Sequence, residues 1–430
     1  MSHIDSYYSR TTTDLSPIEA LHSHLDTQVC VIGGGLAGIS TALGLAERGI
    51  SCVLLEAERV GWGASGRNGG FISCGFSKNP LALARKLGNA KARQLYDLTR
   101  QAYALIEQRI KGHESSIKEP GVGRITASWF NHEAGVRRYV EQMNQLFETN
   151  LAFWSQEQIR AAYLTDRYFD GYFQPQSMCL HSLNYAWHTA GLARALGARI
   201  YEESRVEQVL QTAGKDHRWQ IKTAHGCINA QHVVYACSAY INNLQAKLSA
   251  ATLPVATYVL LTEPLGDRLE TAIRAPYGVA DNRFSSNYYR VVDDKRLLWG
   301  GRVSMFQPSQ IRLKAIMLND LLSVYPQLRG IRGEVAWGGY MGYSSHRMPQ
   351  LGQLRGGEWY CQGFGGHGMV TTTMGGELVA AGIAAEDDQY ALFSDFGLDY
   401  VGKPFGPVIA QLAYWSFQLQ DALQAYWRNR

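Results

Sequence analysis

Four glycines and one glutamate near the start of the chain have the types and the spacing to hold a diphosphate. Gly33-Gly34-Gly35-Leu36-Ala37-Gly38 fits G-x-G-x-x-G through Gly33, Gly35 and Gly38. The first glycine of such a loop permits a tight turn, the second lets the backbone approach a pyrophosphate, and the third lets helix and strand pack closely. Leu36 and Ala37 then open a helix whose free N–H groups and positive dipole end face the phosphates. Glu56 lies 23 residues past Gly33, where a carboxylate can take the hydroxyls of a ribose. These residues suit the ADP part of a dinucleotide, and the motif alone does not separate FAD from NAD.

The elements that must position them are legible on either side. Val29-Cys30-Val31-Ile32 is a short apolar run ending in glycines, which reads as a buried parallel strand. Leu36, Ile39, Leu43 and Ala46 recur at helical spacing, and Gly49 follows as a natural stop. Cys52-Val53-Leu54-Leu55 is a second apolar strand, and Glu56 ends it. Strand, glycine loop, helix and strand make a βαβ unit with a right-handed crossover.

A second glycine-rich stretch follows: Val60-Gly61-Trp62-Gly63-Ala64-Ser65-Gly66-Arg67-Asn68-Gly69-Gly70. Its small residues cannot pack a core, and an arginine among them suits phosphate oxygens. In this segment the chain resembles the D-amino-acid-oxidase-like flavoprotein superfamily, which includes glycine oxidase and sarcosine oxidase. The G-A-S-G-R-N-G-G form looks most like the gamma-glutamylputrescine oxidoreductase group. The resemblance is patchy between residues 76 and 190 and in outline spans the chain. It implies FAD, with Ala64, Gly69 and Gly70 letting the backbone reach the ribityl-pyrophosphate and Ser65, Arg67 and Asn68 supplying polar contacts. It also implies that Val206, within Arg205-Val206-Glu207, meets the adenine through its backbone, and that the strand around Ala236 closes the nucleotide site. Gly365, Gly366, His367, Gly368 and Met369 would form the loop before the last long helix, whose N-terminus points at the flavin pyrimidine ring. Negative charge collects on that ring upon reduction. Phe405-Gly406-Pro407 and the apolar helix after it match the same group.

Two departures from these relatives bear on chemistry. Sarcosine oxidase tethers its flavin to a cysteine just before the segment matching Trp337-Gly338-Gly339-Tyr340-Met341-Gly342-Tyr343-Ser344. This chain has no cysteine there, and Cys361 lies in a different motif, so the FAD is expected to be non-covalent. Glycine oxidase carries an arginine in that segment that clamps the substrate carboxylate, and the matching residue here is Met341. Without a bidentate guanidinium nothing there reads an α-carboxylate. The expected substrate is an amine, or a molecule whose carboxylate lies far from the reacting carbon; Arg290, Arg302 and Arg347 stay open as other clamps.

Tyr258, Tyr288, Tyr289 and Trp299 lie on strands that form the substrate domain in relatives. His367, Tyr289, Trp299 and Met341 are the residues expected at the reacting centre. The resemblance implies hydride transfer to flavin N5 from the carbon beside nitrogen. The imine product hydrolyses to an aldehyde, and O2 or another acceptor takes the electrons. Such chemistry needs no dedicated acid–base dyad, and a dry aromatic pocket favours the neutral amine. Oxidation of another secondary amine or a D-amino acid stays open, as does a flavin-binding protein without turnover.

The length of 430 residues calls for two or three domain-sized units. The expected class is α/β: a discontinuous Rossmann-type FAD-binding domain (1–75, 190–245, 345–430) and a mainly antiparallel substrate domain (76–189, 246–344). Helices are expected at 82–112, 133–147, 156–163 and 186–196. Strands are expected around Val206, Trp219, Val233, Tyr258, Tyr288 and Leu297, with Asp293-Asp294-Lys295 as a hairpin turn. Residues 1–26 read as a polar surface arm. A net charge of +4 without a dense Lys/Arg run gives no footprint for nucleic acid. Seven scattered cysteines without a CxxC pair read as reduced thiols of a cytoplasmic protein, with no metal site. No apolar run is long enough to cross a membrane.

Overall fold

The computed structural model describes residues 2–12, 16–212, 218–284, 286–305, 308–403 and 405–429. Two sheets organise it. In the first, the strands run in the order Gln350–Arg355, Glu358–Gln362, Cys227–Tyr235, His24–Ile32, Cys52–Leu55 and Arg199–Tyr201. The pairs made by the central strands along this path are parallel. Val29–Ile32 is buried on both faces, which is why this run is continuously apolar rather than alternating. The helix Leu36–Glu47 crosses the helix Gly368–Ile383 closely: a Cβ on Gly376 would lie 2.6 Å from that of Ser40, and one on Gly44 2.9 Å from that of Ala380. Small residues let the two helices that flank the glycine loops share one layer.

The second sheet runs Gly333–Tyr343, Leu253–Thr262, Arg296–Ser304, Tyr288–Val292, Gly278–Asp281, Lys118–Ala127, Gly171–Leu180 and Phe71–Ser73. Its pairs are antiparallel except that between Gly278–Asp281 and Lys118–Ala127. Successive side chains of a strand point to opposite faces. One face carries Ile125, Tyr258, Leu260, Val279, Tyr289 and Trp299, buried in one apolar cluster with Leu313, Met317 and Leu321 of the helix Gln310–Val324. The other face carries Arg124, Thr257, Ala280, Tyr288, Gly339 and Met341, which line a cavity.

Several expected elements differ in detail. The 82–112 helix is two, Pro80–Leu87 and Asn89–Ile110, because Gly88 turns the chain at φ 84. The 186–196 helix starts earlier, at Ser182, where the His181 ring accepts the Asn184 N–H as a cap. The hairpin turn is present: Asp293, Asp294 and Lys295 lie between the paired Val292 and Arg296, and Asp294 and Lys295 both have positive φ. The N-terminal arm is not a loose cover. Tyr7 and Tyr8, on the short helix Tyr7–Thr11, are 2% and 0% exposed. Its polar composition concealed two aromatics that pack against His181 and Trp337.

Candidate active site

The nucleotide loop owes its shape to contacts that only glycine permits. Gly33 has φ +113, and a Cβ there would lie 2.9 Å from the Ala236 carbonyl oxygen. Gly38 packs directly onto the Gly33 carbonyl. Glu56 ends its strand beneath this loop. Its Oε2 accepts the Gly34 N–H at 2.5 Å and its Oε1 the Glu58 N–H at 2.8 Å. Burial pushes the Glu56 carboxyl up, opposed by those backbone donors. At the head of the first helix the Ser65 hydroxyl oxygen accepts the Leu36 N–H at 2.9 Å. That donor is one of those a helix start leaves without an intrahelical partner, and here Ser65 takes it.

The second glycine loop is held from three sides. The Asn68 amide donates to the Ala64 and Ser65 carbonyls at 3.0 Å each, and its oxygen accepts from Gly70 and Ser182. Asn68 therefore spends its amide on the loop itself, although it borders the cavity. Tyr8 donates to the Asn68 carbonyl at 2.6 Å and the Trp337 indole to the Arg67 carbonyl at 2.8 Å. Gly70 has φ +76, with its Cα against the Leu180 carbonyl. Arg67 lies over the Trp62 ring at 4.1 Å. Its Nε and one terminal nitrogen are buried with no hydrogen-bond partner, and burial pushes its guanidinium down.

These residues border one cavity of about 1300 Å³, larger than the ~300–1,000 Å³ of ordinary small-molecule clefts. Of the expected cofactor-binding residues, Gly33, Gly35, Leu36, Ala37, Glu56, Ala64, Ser65, Arg67, Asn68, Gly69, Val206 and Ala236 line it, and so do Gly365, Gly366, His367, Gly368 and Met369. Gly38 and Gly70 stand behind the wall and shape it. The free donors at the first helix, the Glu56 carboxylate and the orphaned Arg67 fork fit a long ligand with ribose hydroxyls and negative charge, as FAD has.

At the far end His367 precedes the helix Gly368–Ile383. Its Nε2 donates to the Ser73 carbonyl at 2.8 Å, since a carbonyl only accepts. Burial pushes its pKa down to about 4, so the ring is neutral at pH 7. Met341 lies opposite: its sulfur is 3.9 Å from where a Gly366 Cβ would stand. Tyr288 forms the floor with Phe71, ring to ring at 5.7 Å.

Tyr289 and Trp299 are misplaced by the sequence expectation. They stack at 4.4 Å on the opposite face of the sheet, and Tyr289 shares a hydrogen bond of 2.7 Å with Tyr325. Neither reaches the cavity, nor does Tyr258. One residue earlier, Tyr288 does, because alternate residues face opposite ways. Its cue in the sequence is the glycine pair Gly300-Gly301: Tyr288 pairs with Gly300 and its ring lies over that Cα. Arg290 is a tie rather than a clamp, donating to the Gly69 and Leu180 carbonyls and to Tyr8. Arg302 borders the cavity with its guanidinium on Asp320 at 2.5 Å, and Arg347 also borders it. Reading from sequence missed Arg124, because Gly121 and Gly123 break the strand pattern around it. The helix expected after Phe405-Gly406-Pro407 is present as Gly406–Arg428, but its place at the cavity was not read from sequence: Ala410, Ala413, Tyr414 and Phe417 line the wall.

A glycine loop at the end of a central parallel strand, with a carboxylate ending the next, is the architecture of a dinucleotide-binding protein. The model of the DAO family, FAD dependent oxidoreductase, matches residues 28–381, and the chain belongs to that family. It is 31% identical to the gamma-glutamylputrescine oxidoreductase of Escherichia coli, over 91% of this chain and 92% of that protein. It is likewise 31% identical to the probable oxidoreductase OrdL of Haemophilus influenzae, over 96% and 95% of the two chains. Among solved structures, glycine oxidase from Geobacillus kaustophilus shares the fold with a TM-score of 0.71 at 19% identity, covering 88% of this chain and 100% of that one. The protein is an FAD-dependent oxidoreductase. Among its described residues no helix is long and apolar enough to cross a membrane, and no cluster of His, Cys, Asp and Glu could hold a metal ion.

Proposed function

We propose that this oxidoreductase oxidises a carbon–nitrogen bond of an amine of gamma-glutamylputrescine type, with O2 as the final acceptor. The observation that carries the reading is the 31% identity to gamma-glutamylputrescine oxidoreductase across nine-tenths of both chains. The cavity supports it through Met341, which stands where a guanidinium would be needed to read an α-carboxylate. In this reading residues 1–75, 190–245 and 345–430 bind FAD, and 76–189 and 246–344 form the substrate side.

FAD supplies a two-electron acceptor for the hydride of the carbon beside nitrogen. The chain's own part is to bind and orient. Glu56 would take the ribose hydroxyls, the first-turn N–H groups beyond Leu36, whose own N–H Ser65 holds, and the Arg67 fork would take negative charge, and Val206 and Ala236 would flank the base. Gly365, Gly366, Gly368 and Met369 would let the helix Gly368–Ile383 approach. Neutral His367, locked to the Ser73 carbonyl, adds no positive charge that would repel an amine. Phe71, Tyr288 and Met341 exclude water, and a dry surround favours the uncharged amine. The substrate loses two electrons and two protons as an imine forms, and water then converts that imine to an aldehyde and, for a primary amine, ammonia.

The test is a panel of polyamine-derived amines, sarcosine, glycine and D-alanine, scored by anaerobic flavin bleaching and by peroxide release in air. Bleaching by the amines in preference to the amino acids is the expected result. Equal turnover of D-amino acids would replace the amine reading by an amino-acid one, and no bleaching by any compound would end both.

A further inference from the structure

Among the described residues five arginines other than Arg67 border the cavity, and they are not in the same electrostatic condition. Arg205 sits on Glu58 at 2.6 Å, Arg283 on Asp281 at 2.6 Å and Arg302 on Asp320 at 2.5 Å. Arg347, half-buried beside Ser344 and Ser345, has no carboxylate within 4 Å among the described residues, but none of its nitrogens is both buried and without a partner. Arg124 has no carboxylate within 4 Å among the described residues. Its hydrogen bonds are two long ones: Nη1 to the Ser73 hydroxyl at 3.5 Å and Nη2 to the Thr126 hydroxyl at 3.4 Å. Both are at the outer limit for such bonds. Its Nε is buried with no partner.

A guanidinium is always charged and offers five donors in a rigid fork. Withdrawing such a donor from water without a partner is costly. A fold retains that arrangement where something else completes it, and the open side of Arg124 is the cavity. Its position narrows what that ligand is. Ser73 Oγ lies 3.5 Å from both Arg124 Nη1 and His367 Nε2, so Arg124 flanks the head of the helix Gly368–Ile383 on the Phe71–Ser73 side. Met341 flanks the same helix head from the other side, and four strands of the sheet separate its strand from that of Arg124. Anion recognition is therefore displaced from the position next to Met341.

We infer that Arg124 is the specificity residue of the substrate half of the cavity, binding a carboxylate carried by the substrate away from the carbon that is oxidised. This rests on the amine reading given above and sharpens it. A free diamine brings a second positive charge to an uncompensated guanidinium and is rejected, whereas an amine with a remote carboxylate is accepted.

The test uses FAD-loaded protein and the Arg124→Gln and Arg124→Lys variants. The first readout is binding of glutarate, a dicarboxylate that cannot be oxidised, followed by the perturbation of flavin absorbance. The second is kcat/KM for a matched pair of amines, one carrying a remote carboxylate and the other its carboxamide. The wild type should prefer the carboxylate. Arg124→Gln should weaken glutarate and erase that preference by about a hundredfold, mostly in KM, the scale of one lost bidentate pair. Arg124→Lys should fall between, because it keeps the charge and loses the fork. If Arg124→Gln does not load with FAD, the lysine variant decides by the same ratio.

Unchanged glutarate affinity together with an unchanged preference overturns the inference. So does a loss of FAD affinity with glutarate binding intact, since Arg124 would then serve the cofactor. If no amine bleaches the flavin while glutarate binding still depends on Arg124, the amine reading fails and the anion site stands. If amines bleach it and Arg124 proves indifferent, the anion site fails alone.

Discussion

Replacing Arg67 by methionine should move two quantities in opposite directions. Two guanidinium nitrogens of Arg67 are buried with no partner in the protein itself. Each such donor costs about 1–3 kcal/mol. The Trp62 ring at 4.1 Å returns about 1–2 kcal/mol. The residue therefore burdens the apoprotein by roughly 2 kcal/mol. Methionine keeps an unbranched stem over Trp62 and removes the charge. For a chain of this size roughly 2 kcal/mol corresponds to a rise of about 2–4 °C in the apoprotein Tm. FAD should suffer the reverse. Losing charge-assisted hydrogen bonds of about 1.5–3 kcal/mol weakens Kd by about 10- to 150-fold. The assay is thermal unfolding of flavin-stripped wild type and Arg67→Met with and without FAD, paired with FAD titration by fluorescence quenching. Arg67→Lys, which keeps charge without the fork, should weaken FAD less. If Arg67→Met lowers the apoprotein Tm and leaves FAD affinity unchanged, Arg67 is a scaffold residue and the reasoning is wrong.

Three further outcomes are expected. Met341→Arg should raise kcat/KM for sarcosine or D-alanine relative to the preferred amine by about tenfold or more, measured side by side, because it restores a partner for an α-carboxylate. The flavin should leave the polypeptide on acid precipitation: Cys361 is buried in its strand away from the cavity, and Cys237, the cysteine that borders the cavity among the described residues, sits beside the ribose end near Glu56. Flavin absorbance in the washed pellet would contradict this. His181 is pushed down to about 3 by burial and by Arg290, and its Nδ1 accepts the Asn184 N–H at 3.1 Å. The unfolded chain binds that proton near pH 6.5 and the folded chain does not, so stability falls as pH drops from about 6.5 toward 3, by up to about 1.4 kcal/mol per unit. His181→Gln should flatten the slope of Tm between pH 7 and 5, and an unchanged slope would assign it to His3 and His367, which are held down to about 4 in the same way.

Local signals in the sequence carried the nucleotide end well. The strand at Val29, the loop from Gly33, the helix from Leu36 and the carboxylate of Glu56 are contiguous, and each is constrained by its neighbours in the chain. The substrate end depends on register between strands far apart in sequence. Tyr288 and Tyr289 are adjacent aromatics, and only the pairing of Tyr288 with Gly300 decides which of them faces the cavity. Arg124 lies on a strand that contains Pro120, Gly121 and Gly123. Such residues weaken any strand pattern, and neighbouring strands impose the conformation. Tyr7 and Tyr8 stand in a polar stretch, and their burial follows from partners at Asn68, His181 and Trp337 that local composition does not reveal.

The order of strands in the first sheet has a consequence for how the molecule is made. The strand that carries Glu56 comes early, but the strand His24–Ile32 pairs with Cys227–Tyr235, and that in turn with Glu358–Gln362. At about 5–20 residues per second, the ribosome needs tens of seconds to deliver the third of these after the first. The partner of Tyr8 at Arg290 arrives on a similar delay. The nascent glycine loop therefore waits without the strands that fix it. The first sheet is complete only once most of the chain has been made, and no single cut in the chain should yield an autonomous nucleotide-binding fragment.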